Sequence, residues 1–172
     1  MKIESILSLI NTGKENKSLY ESSSANLLEL VGCNDIPVRI INSVEELLKA
    51  ENWEELNNRF HTDLKFGTGG MRGRTIGNTI TESEKGNSNK NQSPQFAAVG
   101  SNTLNEITVV RATKALFLHI KKWLAEEGIL AQPRLVIAHD VRHFSEKFCK
   151  LSALTWSKLG GIALIFDGPR ST

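Results

Sequence analysis

Apolar residues recur at helical spacing through the first third of the chain. Residues 3–10 and 19–31 show this spacing, which predicts two helices. Ser43 followed by Glu46 is a capping-box pattern, so we expect another helix to begin just before Val44. Because apolar positions continue to about residue 60, the sequence predicts a helical leader over residues 1–60.

The pattern breaks at the segment from Lys65 to Arg74, where four glycines fall within seven positions between cations. This composition disfavours both helix and strand, so we predict an irregular loop. A second break covers residues 82–95, which are rich in Ser, Asn, Lys and Gln. Such a segment buries almost nothing, and we predict a mobile surface loop.

Helical and strand patterns alternate in the last third of the chain. Asn105 is a candidate cap for a long helix with one apolar stripe. Residues 135–138 and 162–166 are short apolar runs without alternation, as in strands buried on both faces. A helix with Ser145 as its expected N-cap lies between them. This βαβ order predicts a parallel sheet covered by helices, and therefore the α/β fold class.

Composition narrows the class of protein. The chain has 172 residues, with 21 basic and 19 acidic side chains and a net charge of +2, which argues against a nucleic-acid-coating or strongly cationic membrane-binding protein. No apolar run is long enough to span a bilayer, and we expect a cytoplasmic protein without a signal peptide. Cys33 and Cys149 lack metal-site spacing and are expected to be unpaired thiols in the core.

The glycine-rich segment is the main candidate for chemistry. Glycines let consecutive backbone amides turn toward one anion, and Lys65, Arg72 and Arg74 add positive charge with no carboxylate among these ten residues. A phosphate or carboxylate ligand suits this field. A structural turn with solvated cations is the alternative, and the spacing alone leaves it open.

Other familiar sites are absent or ambiguous in the sequence. The segment lacks the Lys-Ser or Lys-Thr of a P-loop, and Arg72 stands where a dinucleotide-binding fold needs its third glycine. Asp140 and Arg142, after the first predicted strand, either pair with each other or reach a ligand. No nucleophile is spaced to work with His139 or His143, so we assign no catalytic residue and no metal site.

Phe66–Gly73 resembles the FGT-[ASG]-G-[LM]-R-G segment of the first domain of α-D-phosphohexomutases, the phosphoglucomutase and phosphomannomutase family. Two later segments resemble family segments in the same order. The helix with Asn105 and Thr108 is similar to one of them, and Ala138–Ser145 is similar to a G-x-D-x-R-x-x-S segment. The resemblance implies a three-layer α/β/α first domain, incomplete here, over residues 61–172.

The resemblance also implies a function. Family members move a phosphoryl group between C1 and C6 of a hexose phosphate through a bisphosphate, using a phosphoserine loop (T-A-S-H-N-P) and Mg²⁺ held by a D-x-D-x-D loop. Neither loop occurs in this sequence. The resemblance places Arg72 toward the substrate phosphate, with Thr68, Gly69 and Gly70 shaping its loop. Asp140 and Arg142 correspond to first-domain scaffold near the site.

Three expectations follow from the resemblance. The chain alone should lack mutase activity and bind neither Mg²⁺ nor the hexose bisphosphate activator, which belong to the full-length family. It should be only marginally stable, because its strands lack neighbours. The expected partner is a phosphosugar, and neither a nucleic acid nor a membrane. A non-catalytic phosphate-binding or protein-interaction module is the alternative, and the sugar and the oligomeric state stay open.

Overall fold

The computed structural model describes residues 2–89 and 92–170. The chain forms two compact units that meet in sequence between Asn105 and Glu106. These units are defined by how compactly their residues pack. The predicted boundary between residues 60 and 61 separates a helical leader from a family domain, which is a different division, and it stays a prediction. The last two residues of the predicted family domain, Ser171 and Thr172, lie outside the described residues.

The first unit is built mainly from helices. Its elements are α1 (Lys2–Glu15), α2 (Glu21–Gly32), α3 (Val38–Lys49), α4 (Trp53–Phe60), β1 (Phe66–Gly67), β2 (Gly70–Met71) and α5 (Glu82–Lys85). The predicted helices over residues 3–10 and 19–31 are confirmed as α1 and α2. Apolar side chains from α1 to α4 form the core, including Ile6, Ile10, Leu27, Ile40, Val44, Leu48, Leu56 and Phe60. Their burial on several helices supplies the hydrophobic driving force for this unit.

The capping-box prediction for Ser43 is wrong. Helix α3 begins at Val38, directly after Pro37, and Ser43 is buried within the helix. The Ser43 hydroxyl donates to Glu84 Oε1 at 2.8 Å. The Glu46 carboxylate accepts from two backbone amides in the first turn of α5, at 2.6 and 3.1 Å. Both polar side chains therefore serve α5, which is distant in sequence, and not the start of their own helix.

The segment 82–95 is also more ordered than its composition indicates. Thr81 and Glu84 form a capping box at the start of α5. Glu84 is almost fully buried, because its carboxylate meets the guanidinium of Arg59 at 2.5 Å. The prediction that this segment buries almost nothing is wrong at Glu84. Its burial depends on a partner 25 positions earlier in the chain.

The second unit contains the predicted βαβ order. Its elements are α6 (Glu106–Glu126), β3 (Arg134–Ile137), α7 (Ser145–Lys158) and β4 (Ile162–Ile165). Strands β3 and β4 are parallel, with Arg134 opposite Ile162. Trp156 is fully buried, stacks edge-on against Phe117 at 5.0 Å between ring centroids, and donates its indole N–H to the carbonyl of Pro133. These observations confirm the α/β class and the parallel sheet.

Strands β3 and β4 are not buried on both faces, as the apolar runs predicted. Val136 and Leu164 are opposite each other in register, and they are 61% and 53% exposed. One face of the described two-stranded sheet is therefore open. Apolar composition alone does not distinguish a covered face from an uncovered one, since coverage depends on what packs against the sheet.

One local prediction in the second unit and one in the first need correction. The N-cap of α7 is Phe144, at φ +70°, and Ser145 is the first helical residue. Cys149 is buried, and burial raises the pKa of its thiol, but Cys33 is exposed and not in the core. Among the described residues, no helix combines the length and apolarity needed to cross a bilayer.

Candidate functional site

The glycine-rich segment forms a tight hairpin, which we call the glycine hairpin (residues 65–74). Phe66 pairs with Met71 and Gly67 with Gly70, so Thr68 and Gly69 lie at its tip. The expectation that no strand forms here is wrong. Gly70 takes φ +93°, a backbone conformation that is accessible to glycine, and the chain can therefore turn back on itself.

Both limbs of the hairpin are anchored to a later segment of the first unit. The backbone amide of Leu64 donates to the carbonyl of Ser101 at 2.8 Å, and the amide of Leu104 donates to the carbonyl of Arg74 at 2.9 Å. Gly73 fits tightly between the limbs, because a β-carbon there would lie 2.8 Å from Leu64 Cδ1. Sequence reasoning missed this anchoring segment. The sequence feature that could have indicated this segment is the apolar run at 97–99, which is buried.

The hairpin borders an open concavity of about 580 Å³. Its lining residues are Lys65, Phe66, Gly67, Thr68, Gly69, Gly70 and Arg72. The four residues predicted to face a phosphate, Thr68, Gly69, Gly70 and Arg72, therefore border one concavity. Asp140 and Arg142 belong to the second unit. The lining carries two cations and no carboxylate, so its electrostatic potential favours an anion.

Arg72 and Lys65 have no hydrogen-bond or ion-pair partner within residues 2–89 and 92–170. The Arg72 guanidinium lies against the tip of the hairpin, where a β-carbon on Gly69 would be 2.5 Å from Nη2. Glycine at position 69 therefore leaves the space that the guanidinium occupies. An unpaired guanidinium presents a planar fork of donors that matches the oxygens of a phosphate or carboxylate.

Arg74 has a different environment, although the sequence groups it with Lys65 and Arg72. Its Nη1 donates to Asn78 Oδ1 at 2.9 Å, and its Nη2 lies 3.9 Å from Glu55 Oε2. Arg74 does not line the concavity. The structure thus separates two cations that border the concavity from a third that contacts protein groups.

Asp140 and Arg142 form an ion pair. Arg142 donates from Nε to Asp140 Oδ2 at 2.6 Å and from its backbone amide to Oδ1 at 3.0 Å. The backbone amide of Arg142 is the main cause that lowers the pKa of Asp140, with further contributions from the Ser145 hydroxyl and the Arg142 charge. The pair holds the turn between β3 and α7. Contact of either side chain with a ligand stays a prediction.

Substitution Asp140→Asn is expected to destabilise the second unit slightly at neutral pH. A carboxyl whose pKa is lowered in the folded state stabilises the protein above its unfolded pKa, near 3.9, and this contribution is lost as the pH falls through the folded pKa. The difference between Asp140→Asn and the parent should therefore shrink below about pH 4. Thermal melts across pH test this, with Asp35→Asn controlling for net charge. A difference that does not change with pH would contradict it.

Substitution Gly70→Ala is expected to destabilise the first unit by about 1–2 kcal/mol, because an L-residue is strained in the left-handed conformation. No atom lies near the position of the added β-carbon, so the effect isolates backbone strain. Gly67→Ala is the matched control, since its β-carbon would meet the Gly70 carbonyl oxygen at an ordinary 3.8 Å. Urea denaturation measures both variants. Equal destabilisation would show that the conformation of Gly70 is not the cause.

The Mg²⁺ that the resemblance implies has no fitting site in the described part of the chain. Within residues 2–89 and 92–170, no three His, Cys, Asp or Glu side chains lie together in a way that could hold a metal ion. Divalent magnesium in phosphoryl-transfer sites is held by carboxylates and phosphates. We therefore derive no chemical step through a metal for these residues.

Comparison with known proteins shows two distant similarities. The chain is 27% identical over 126 residues to a probable phosphoribomutase of Schizosaccharomyces pombe. The matched region covers 73% of this chain and 17% of that protein. It is 23% identical over 115 residues to a phosphoribomutase of Saccharomyces cerevisiae. Here the matched region covers 67% of this chain and 14% of that protein. No protein-family model matches, and no solved structure matches. The chain thus spans about a sixth of the length of the curated relatives, whose names denote a mutase.

Proposed function

We propose that the glycine hairpin binds the phosphate group of a phosphorylated sugar, as part of the first domain of a mutase-type phosphotransferase. One observation carries the proposal: Arg72 and Lys65 border an open concavity without a carboxylate and without a protein partner of their own among the described residues. Cations without partners keep their full capacity for an anion, and a phosphate dianion gains most from two of them.

Each part of the hairpin has a distinct role in this proposal. The Arg72 guanidinium donates two parallel hydrogen bonds to phosphate oxygens, and the Lys65 ammonium supplies a further point charge. Glycines at positions 67, 69 and 70 keep side chains away from the ligand, so that it can approach the backbone. Phosphoryl transfer depends on positioning and charge neutralisation, and these residues contribute both without acting as a nucleophile.

The identity of the sugar is a more specific part of the proposal. The resemblance in sequence favours a hexose phosphate of the phosphoglucomutase and phosphomannomutase type, whereas the names of both relatives refer to a phosphoribomutase. The residues that border the concavity suit the phosphate and not a particular sugar ring. We therefore propose a sugar phosphate as the ligand class, with Mg²⁺ and a sugar bisphosphate acting in the full-length enzyme.

Titration of the chain with inorganic phosphate, glucose 1-phosphate and ribose 5-phosphate tests the proposal. We expect saturable binding of all three by calorimetry, mutual competition, and no binding of glucose or ribose. Absence of phosphate binding would overturn the proposal. Equal affinity for unrelated phosphate esters, with no preference for sugar phosphates, would instead favour a non-catalytic phosphate-binding module.

A further inference from the structure

We infer that Glu55 is a positioning residue of the glycine hairpin, which acts on Arg72 through Arg74. This inference rests on the proposed phosphate-binding function of the hairpin and adds a residue outside the ligand space to it. Glu55 lies on α4 and does not line the concavity. It is a positioning residue and not a catalytic residue, since it touches the hairpin and not the ligand.

The two carboxylate oxygens of Glu55 have different environments. Its side chain is 3% exposed. Oε1 accepts from Arg59 Nε at 2.7 Å and from the backbone amide of Asn78 at 3.0 Å. Oε2 is buried without a hydrogen bond, and Arg74 Nη2 lies 3.9 Å from it. A buried carboxylate oxygen without a donor is unfavourable, so Oε2 attracts the Arg74 guanidinium strongly.

Glu55 is itself held rigidly. Arg59 has no exposed surface, and besides Glu55 it binds Glu84 through Nη1 at 2.5 Å and the carbonyl of Thr79 through Nη2 at 2.5 Å. The carboxylate is therefore fixed in direction before any ligand arrives. A charged group with a fixed direction orients a mobile partner at little further entropic cost.

Arg74 connects this buried carboxylate to the ligand space. Its side chain is 39% exposed and also donates to Asn78 Oδ1, while its carbonyl accepts from the backbone amide of Leu104. Only Gly73 separates Arg74 from Arg72, and Gly73 is packed against Leu64. The link between the two arginines is short and confined. Release of Arg74 from Glu55 therefore loosens the limb that carries Arg72, and allows the Arg74 guanidinium to compete for the same space.

Substitution Glu55→Gln separates this role from general stability. A glutamine whose amide oxygen takes the Oε1 position keeps the acceptor for Arg59 and Asn78, because the new NH₂ group then occupies the Oε2 position. There it faces the donors of Arg74 and repels them. Glu46→Gln is the control, since it removes one charge from the same unit at a residue that binds the first turn of α5 and, among the described residues, contacts neither Arg59 nor Arg74.

Hydrogen exchange and phosphate titration together test the inference. In Glu55→Gln we expect faster amide exchange over residues 66–74 and inorganic phosphate affinity lower by about 3- to 10-fold, which lies in the lower part of the range for coupled neighbours. In Glu46→Gln we expect a lower melting temperature with unchanged exchange at the hairpin and unchanged affinity. In a background of Arg74→Gln, Glu55→Gln should have no further effect on affinity.

The outcomes distinguish this inference from the proposed function. If the parent chain fails to bind phosphate, the proposed function is wrong. Amide exchange of the glycine hairpin in Glu55→Gln then still tests whether Glu55 positions the hairpin. If the parent binds phosphate and Glu55→Gln changes neither affinity nor hairpin exchange, the inference is overturned. Should Glu55→Gln not fold, Arg74→Gln leaves the buried network intact, and unchanged exchange and affinity in that variant would equally overturn it.

Discussion

Replacing Arg59 with methionine is expected to destabilise the first unit by about 3–5 kcal/mol, the cost of removing one partner from a buried ion pair. Arg59 has no exposed surface and binds two carboxylates, those of Glu55 and Glu84. Methionine fills a similar volume but leaves both carboxylates buried without a cation. Because domains are stable by only about 5–15 kcal/mol, this variant should be largely unfolded or poorly soluble near 37 °C. Urea denaturation followed by circular dichroism measures the loss.

Two companion variants give this prediction its controls. Arg59→Lys should recover little of the lost stability. A lysine ammonium does not reproduce the planar set of donors with which the guanidinium binds partners on three sides. Lys49→Ala breaks an exposed pair with Glu45 at 2.8 Å and should cost no more than about 0.5 kcal/mol. If Arg59→Met were as mild as Lys49→Ala, the buried network would not be a determinant of stability.

Replacing Arg72 with alanine is expected to lower the affinity for phosphate by about 10- to 100-fold, which corresponds to the loss of charge-assisted hydrogen bonds of about 1.5–3 kcal/mol. Arg72 is exposed and has no partner within residues 2–89 and 92–170, so its removal should leave the melting temperature nearly unchanged. Calorimetric titration with inorganic phosphate and a thermal melt of the same sample measure both quantities. A change in affinity without a change in stability is the signature of a ligand-contacting side chain.

Arg134→Ala is the matched control for Arg72→Ala, because it also removes one exposed guanidinium, from β3 in the second unit. Its effect on phosphate affinity should be small and should vanish as salt screens the remaining field. Gly69→Ala is a second comparison, since its β-carbon would displace the Arg72 guanidinium and weaken binding without removing charge. Equal losses of affinity in Arg72→Ala and Arg134→Ala would attribute binding to net charge and not to the hairpin.

The parts of the fold that sequence predicts well are those whose signals are local. Helical spacing identified α1 and α2, and two apolar runs around a helix identified the parallel pair β3 and β4. The four residues predicted to face a phosphate border one concavity, and their contact with a ligand stays a prediction. In each case, neighbours within a few positions carry enough information, through helix periodicity, strand length or glycine content.

The predictions that proved wrong concern polar residues with distant partners. Ser43 and Glu46 match a local capping pattern, but both bind α5. Glu84 lies in a segment with the composition of a mobile loop, yet it is buried because Arg59 meets it. Arg74 was grouped with Lys65 and Arg72 because all three lie within ten residues, but it contacts Asn78 and Glu55 and does not border the concavity. None of these contacts is visible in a short sequence window.

The sequence by itself determined the helical first region, the parallel βαβ order and the presence of a cationic, glycine-rich turn. Only the tertiary structure decided which cations border the concavity, which carboxylates are buried, and which face of the β3–β4 sheet is open. The physical reason is that burial and pairing are properties of groups that the fold brings together. The free energy of a charged group in water differs little from one position to another. The free energy of a buried charged group depends on each atom within a few ångströms of it.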